Sequence, residues 1–385
     1  MNKKRSIINI SVGIGSQIIS IALGVLIPRL FLLSFGSEMN GFLNSITQIF
    51  SYFALLEAGV GAATLQALYG PLSIHDNTKI SGIMAATNCY YKKTGKIYFI
   101  AVLMLSVGYP LVVESNISFG IMTLIILFNG IPGVVSYYFQ GKYVILLQAE
   151  GKSYINTALT SLASTIISIL KVVMLLLGFD ILSIQFTYLI VNLLKVLFIG
   201  IYINKNYRWV NLVIEPDFKA ISQKNAAFVN QICDLIFRNT DTIILTIFTN
   251  LKVVSVYTMY TLLYSMIRTA LDYIAQGFSF IMGQTFNRDR AQYVKLHDLY
   301  ETYRMALVFA LYNIALIFII PFMKLYTAGI TDINYIDYKV AVLFSIFYLM
   351  TGARACCADL INYAQHFKKT QSRCILEAAI NLGIS

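Results

Sequence analysis

Residues 26–61 read LIPRLFLLSFGSEMNGFLNSITQIFSYFALLEAGVG, and residues 235–278 read LIFRNTDTIILTIFTNLKVVSVYTMYTLLYSMIRTALDYIAQGF. Each begins Leu-Ile-x-Arg, with Arg29 and Arg238 in the fourth place. Each then runs through apolar residues to Phe35 or Phe248 and breaks at a short polar turn. Each resumes with small and aromatic residues and ends in a glycine region. If the two stretches are equivalents, the chain is a duplicated set of apolar helices, and both copies start on the same face. The other reading is chance similarity between apolar helices.

Composition says what solvent those helices meet. The chain of 385 residues is 58% hydrophobic and 12% charged, with a mean hydropathy of +0.70. A soluble domain is nearer 45–50% apolar and about 25% charged. The excess is what an integral membrane protein carries. The net charge of +11 does not point to nucleic acid, because the basic residues form no patch with interleaved aromatics. Cys89, Cys233, Cys356, Cys357 and Cys374 have neither CxxC spacing nor histidines at zinc-ligand spacing, so they read as small reduced hydrophobes. No cofactor-binding or Walker motif is found. The N-terminus has basic residues ahead of an apolar run, as a signal peptide does. That run continues without a clear cleavage site, which favours a retained first helix.

A helix needs roughly 20 apolar residues to cross the hydrocarbon core. Qualifying segments are 7–33, 40–69, 95–113, 118–141, 154–177, 181–203, 225–249, 253–284, 303–323 and 338–364, with an eleventh beginning near Ile375. The odd-numbered connections are short and poor in Lys and Arg. The even-numbered ones, such as NRDRAQYVKLHDLYETYR and HFKKTQSR, are basic. That bias predicts a cytoplasmic N-terminus and cytoplasmic even loops. Residues 76–93 read either as an amphipathic helix on the membrane surface or as a polar loop. Tyr207 and Trp209 fall where an interfacial aromatic belt would sit.

The repeat makes spans 1 and 7 equivalents, related by an axis along the membrane normal. The expected fold class is therefore all-α integral membrane, with two parallel-repeat six-helix lobes around a central cavity. Residues 1–204 form the first lobe (spans 1–6), 205–224 a cytoplasmic linker, and 225–385 an incomplete second lobe (spans 7–11). A complete second lobe would need span 12, so the expectation is a shortened version of a longer protein.

Charges in a lipid-embedded helix are costly, by about 2.5–3.5 kcal/mol each on insertion scales, and usually face a bundle interior or a wet cavity. Those well inside the spans are Arg29, Glu57, Lys171, Lys195, Asp234, Arg238, Asp241, Arg268, Asp272, Arg354 and Asp359. Asp234, Arg238 and Asp241 share one helical face by their spacing, and Arg268 and Asp272 repeat the i, i+4 step. Two readings stay open: a polar cavity whose cations meet an anion, or ion pairs that lock helices together. Arg29, Lys171, Lys195 and Arg354 lack an acid one turn away, which favours the first reading for them. Tyr257, Tyr260 and Tyr264 form a stripe that would suit carbohydrate stacking but equally suits helix packing.

FGSEMNGFLNSITQIFSYFALLEAGVGAATLQALYGPL, FRNTDTIILTIFTNLKVVSVYTMYTLL and HFKKTQSRCILEAAINL, in this order and at these spans, resemble the polysaccharide (Wzx-type) flippases of the multidrug/oligosaccharidyl-lipid/polysaccharide exporter superfamily. The resemblance covers nearly the whole chain, although no single motif is diagnostic. It implies two six-helix lobes around a cavity, often with two further C-terminal helices. It implies a non-enzymatic function: moving undecaprenyl-diphosphate-linked oligosaccharide repeat units across a bacterial cytoplasmic membrane by alternating access, for O-antigen or capsule synthesis. Membrane lipids, a polysaccharide polymerase and chain-length machinery are the implied partners, with no nucleic acid. Arg29, Lys195, Arg238, Arg268 and Arg354 are the expected cationic lining. Glu57, Asp234 and Asp241 are the candidates for coupling to a proton or sodium gradient. The competing readings are a lipid II flippase, a multidrug antiporter with an acidic cavity, a membrane polymerase or glycosyltransferase, and a non-transporting envelope-assembly protein.

Overall fold

The computed structural model describes residues 3–53, 55–221 and 240–363, with 372–373, 375–377 and 379–380 of the last segment. Asp234 and Arg238 lie outside the described residues, as does the side chain of Asp359. Among the described residues every regular element is a helix. They are α1 (Lys3–Phe53), α2 (Leu55–Ser73), α3 (Asn77–Val112), α4 (Phe119–Phe139), α5 (Gly141–Ala149), α6 (Ser153–Leu176) and α7 (Ile181–Asn206). The helical residues 240–248 follow, then α8 (Leu251–Arg288), α9 (Arg290–Tyr326) and α10 (Tyr338–Tyr363). Six of these are long and apolar enough to cross a membrane: α3, α4, α6, α7, α9 and α10.

The helix starts follow the local chemistry of the sequence. Asp76, Asp180, Asn250 and Asp289 each accept a hydrogen bond from a backbone N–H two or three residues on, at 3.0–3.2 Å. These side chains satisfy donors that the first turn cannot pair internally. Within α1 the regular conformation fails once, at Gly36 (φ 75, ψ 178). This left-handed backbone suits glycine and divides α1 into arms 3–35 and 37–53, so the polar GSEM stretch is a one-residue break rather than a loop.

Three segments differ from the sequence expectation. The stretch expected as a basic loop at 287–304 is helical from Arg290, as the first part of α9. Residues 77–93 are neither a surface helix nor a loop; they are the first part of α3, continuous with the third span. Ile80, Ile83, Met84, Ala85 and Ala86 are buried there. Thr64 and Thr87 hydrogen-bond at 3.0 Å. The 207–221 linker lies on the same stretch, with Asp217 N–H bonding the Gly82 carbonyl at 3.1 Å and Asn211 N–H bonding Ser81 Oγ at 3.2 Å. The fourth span also continues, through α5 to Ala149, and its Lys142 is buried with Nζ donating to the Tyr138 carbonyl at 3.0 Å. The helices thus extend past the hydrocarbon thickness and pack on one another beyond it. Tyr207 is likewise a buried residue, donating to Glu150 Oε2 at 2.6 Å, with Trp209 beside it.

The buried clusters fall mainly into two groups of helices, α1–α7 and residues 240–363, referred to as the two lobes. The first lobe holds two buried clusters, one around Tyr91, Tyr98, Tyr137 and Leu146, the other around Phe42, Ile46, Tyr109 and Ile125. The second lobe is organised on Tyr260, Tyr264, Tyr312 and Tyr348. Large apolar side chains are also presented outward: Met104 is 71% exposed, Leu176 70% and Ile317 68%. In water such faces would drive association; in hydrocarbon they are the ordinary surface. This is a multi-pass membrane protein.

Glu38 ties the start of the second α1 arm to the 113–118 turn. It accepts from Asn116 N–H at 2.6 Å and from Ser115 Oγ at 2.9 Å. Burial pushes its carboxyl up, but the Asn116 and Ser115 hydrogen bonds and the charge of Lys252 outweigh that and leave it below the ordinary value of 4.5. Because the folded form holds its proton less tightly, this contribution is full above the unfolded value and lost as pH falls through the folded one. Glu38→Gln is expected to lower the melting temperature at pH 7. Its difference from the parent should close in acid, as read by thermal unfolding from pH 7 to pH 3.

Candidate functional site

The two lobes meet along α1 and α8, and the contact is built from backbone as much as from side chains. A Cβ on Gly41 would lie 1.7 Å from the Leu251 carbonyl oxygen, so only glycine lets these chains touch. Leu251, a second-lobe residue, is 1% exposed inside a first-lobe cluster. Leu32, a first-lobe residue, is 2% exposed inside the second-lobe cluster.

Polar contacts extend this seam. Asp332, in the turn after α9, accepts from Ser37 N–H at 2.8 Å and from Ser37 Oγ at 2.7 Å. Ser37 opens the second arm of α1, so a carboxylate of one lobe caps a helix of the other. In return, Arg29 Nη1 donates to the Leu325 carbonyl at 2.6 Å, at the C-terminal end of α9, where a cation suits the helix dipole. Between these caps, Tyr335 Oη bonds Ser255 Oγ at 2.8 Å and also Ser37. Asn40 donates to Ser255 Oγ at 2.8 Å, and Thr246 to Ser45 Oγ at 2.9 Å. Tyr52 and Thr240 share a hydrogen bond at 2.9 Å further from the turns. The seam therefore joins the lobes toward the end that carries Gly36, Asn250 and the 327–337 turn. By the charge distribution this is the expected outer face.

Several candidate groups sit in the lobe interiors behind the seam. Glu57 accepts from Tyr91 Oη and is also hydrogen-bonded to Tyr137. Asp241 accepts from Tyr257 Oη at 2.8 Å. Arg268 lies 3.7 Å from Asp272, which a second arginine, Arg304, approaches at 3.7 Å from α9. Lys195 is half-buried midway along α7, and among the described residues no carboxylate pairs with it.

The structure brings Asp241 and Arg268 into one lobe interior, both within electrostatic reach of Tyr348. It keeps Glu57 and Lys195 in the other. Arg29 is a latch at the seam. Arg354 is exposed and bonds Glu377 Oε2 at 2.7 Å, a cross-helix partner that spacing along α10 could not reveal. The tyrosine stripe is packing for two of its members. Tyr260 and Tyr264 are fully buried, with Tyr260 Oη donating to the Tyr335 carbonyl at 3.0 Å and Tyr264 stacked on Tyr312 and Tyr348. Only Tyr257 has its hydroxyl on a candidate group.

Sequence reading missed two features. Arg304 stands one residue inside a span and was not counted with the intramembrane charges, although it is only 8% exposed. Asp332 lies in a turn, where a carboxylate draws no notice; its one available cue was the Ser that follows Gly36, a residue type that begins helices.

A comparison with solved structures identifies the architecture. One is described as the inward-facing conformation of a multidrug resistance MATE family transporter of the MOP superfamily. It superposes with a TM-score of 0.74 over 94% of this chain and 84% of that one, at 13% identity. A MATE structure in the bent conformation gives 0.58 over 92% and 82%, also at 13% identity. The fold is that of the MATE transporters. No protein-family model matches the chain, and no curated protein matches its sequence. In this MATE-like fold the α1–α8 seam is the line between the lobes.

If the seam closes this end as described, an Asn40→Cys/Ser255→Cys pair is expected to crosslink on mild oxidation, read by mass spectrometry of the digested protein. Adding Asp332→Ala, which removes a cap worth about 1 kcal/mol, should slow the crosslinking several-fold.

Proposed function

We propose that this chain moves an anionic, lipid-linked oligosaccharide across a bacterial cytoplasmic membrane by alternating access, with its N-terminus in the cytoplasm. The observation that carries this reading is an interior cation that no acid neutralises among the described residues: Lys195 sits mid-helix with no carboxylate partner there, while Arg268 and Arg304 both approach Asp272. A carrier of organic cations needs the opposite balance, because an unpaired interior cation repels its substrate and raises its desolvation cost. A diphosphate suits the arginines in particular, whose planar forks donate paired hydrogen bonds to phosphate oxygens.

In this reading Lys195 and Arg268, with Arg238, attract the diphosphate headgroup while the lipid tail stays in the bilayer. Arg29 and Asp332 hold the lobes together at the outer face until the cavity is loaded. Residues 1–204 and 225–385 then act as the moving bodies, joined by 205–224. Glu57 and Asp241 are proposed as the coupling carboxylates; each is held by tyrosine hydroxyls, which keeps it oriented whether or not it carries a proton. The polymerase and chain-length machinery would receive the product on the far side.

The test is restoration of surface polysaccharide in a bacterial host lacking its own repeat-unit flippase. The parent chain is expected to restore it. Lys195→Met should cut the yield more than tenfold at equal membrane abundance, with Lys195→Arg recovering most of it. Glu57→Gln should remove the dependence on the proton gradient in a vesicle flipping assay. A chain that restores nothing but raises resistance to cationic dyes would instead be a multidrug exporter, the reading that the MATE-like fold equally accommodates.

A further inference from the structure

The first lobe contains a small, mostly apolar cavity between α6 and α7, with the Lys171 side chain on its wall. It is lined by Ile167, Lys171, Met174, Ile184, Gln185, Thr187 and Tyr188 and has a volume of about 30 Å³. Lys171 is half-buried, and its Nζ stands 5.1 Å from the centroid of the Phe31 ring, itself only 2% exposed. Among the described residues no carboxylate, hydroxyl or carbonyl bonds that ammonium.

The two carboxylates that open the neighbouring helical segments are engaged elsewhere. Glu38 is held by Ser115 and Asn116. Asp180 caps α7 through Leu182 N–H, Ser183 N–H and Ser183 Oγ.

Two of the neutral groups on the cavity wall, Gln185 and Tyr188, can donate. The Gln185 carbonyl oxygen accepts from Asn129 Nδ2 at 3.2 Å, which leaves the Gln185 amide hydrogens as the polar part facing other partners. The Thr187 hydroxyl gives its one proton to the Ser183 carbonyl at 2.9 Å and so offers the cavity no donor. Tyr188 adds a phenol, and a phenol hydroxyl readily donates to an anion.

We propose that this cavity is a binding site for a small monovalent anion of the chloride class, with Lys171 as its counter-charge and Gln185 and Tyr188 as hydrogen-bond donors. An ammonium removed from water without a partner costs several kcal/mol, and an anion at contact offsets that cost. The size of the cavity excludes larger candidates. About 30 Å³ accommodates one or two water-sized species, so a halide fits, whereas a diphosphate or sugar headgroup does not. The site is thus distinct from the one proposed for the transported headgroup. Its position gives it a consequence, because Phe31 under the ammonium is two residues from Arg29, which latches α9. Anion binding would hold α6 against the outer arm of α1 and so favour the closed seam.

The experiment is thermal unfolding of the purified full chain in detergent, titrated with sodium chloride against sodium gluconate at constant ionic strength. Chloride is expected to raise the melting temperature saturably by several degrees, since a ligand at 100 times its Kd stabilises by about 2.7 kcal/mol. Lys171→Gln should abolish the response, and Tyr188→Phe should shift its midpoint to several-fold higher chloride. Should Lys171→Gln fail to fold, bromide soaked into crystals of the parent chain must give an anomalous peak beside Lys171 Nζ. Equal melting in chloride and gluconate, an unchanged response in Lys171→Gln, or the absence of that peak would overturn the proposal.

Discussion

The reciprocal capping of two helices across the lobe boundary is the interaction on which the rest of this structure depends. Asp332 of the second lobe satisfies the N-terminal donors of the second α1 arm, and Arg29 of the first lobe satisfies a C-terminal acceptor of α9. Helix ends leave backbone groups unpaired, and in a water-poor setting an unpaired group costs more than it does at an aqueous surface. The α9 end is closed partly by its own Thr327, whose N–H and hydroxyl bond the Met323 carbonyl, and partly by Arg29. The lobes thus share these closures at this face, and the Gly41–Leu251 backbone contact sets how closely they approach.

Such a seam is suited to opening. It carries a run of side-chain hydrogen bonds beside apolar contacts at Leu32, Leu251 and Leu33, the last against Gly329. Water could replace each of its hydrogen bonds at small net cost, because a hydrogen bond exchanged with water is worth only about 0.5–1.5 kcal/mol. The lobe interiors are different. Tyr260, Tyr264, Tyr312 and Tyr348 pack ring on ring, and their dispersion contacts have no substitute in water. Motion along the seam is cheaper than deformation within a lobe, which is the physical condition for rigid-body rocking.

The interior ionisable groups follow one pattern. Glu57 and Asp241 each accept a hydrogen bond from a tyrosine hydroxyl. The basic groups divide into those tied to helix ends or to acids, such as Arg29 and Arg354, and those without a carboxylate among the described residues, Lys171 and Lys195. The second kind gives the protein its capacity for anions. Lys171 and Lys195 lie on adjacent helices yet face different surroundings, which is why a small inorganic anion is assigned to one and a headgroup to the other.

Much of this was legible in the sequence. The hydrocarbon thickness fixes how many apolar residues a crossing helix needs, so the spans at 154–177, 181–203, 253–284 and 338–364 could be placed within a few residues, whereas α9 begins at Arg290, well before the expected 303. The Leu-Ile-x-Arg repeat pointed to two lobes, and the one-turn spacing of Arg268 and Asp272 already contained their pairing. What the sequence could not decide was which residues meet across helices. Depth along a helix is encoded in residue number, but the partner on another helix depends on rotation about each axis and on the distance between axes. Arg354 therefore looked unpaired until Glu377 was found beside it, and Arg29 looked like cavity lining until Leu325 was found beneath it. Residues 77–93 were ambiguous for the same reason: their burial comes from α2 and from a linker more than 110 residues away. The sequence by itself determined the solvent, the crossings and the charges. Only the tertiary structure decided which charges are latches, which are pairs and which stand free to meet an anion, because that depends on contacts between segments distant in the chain.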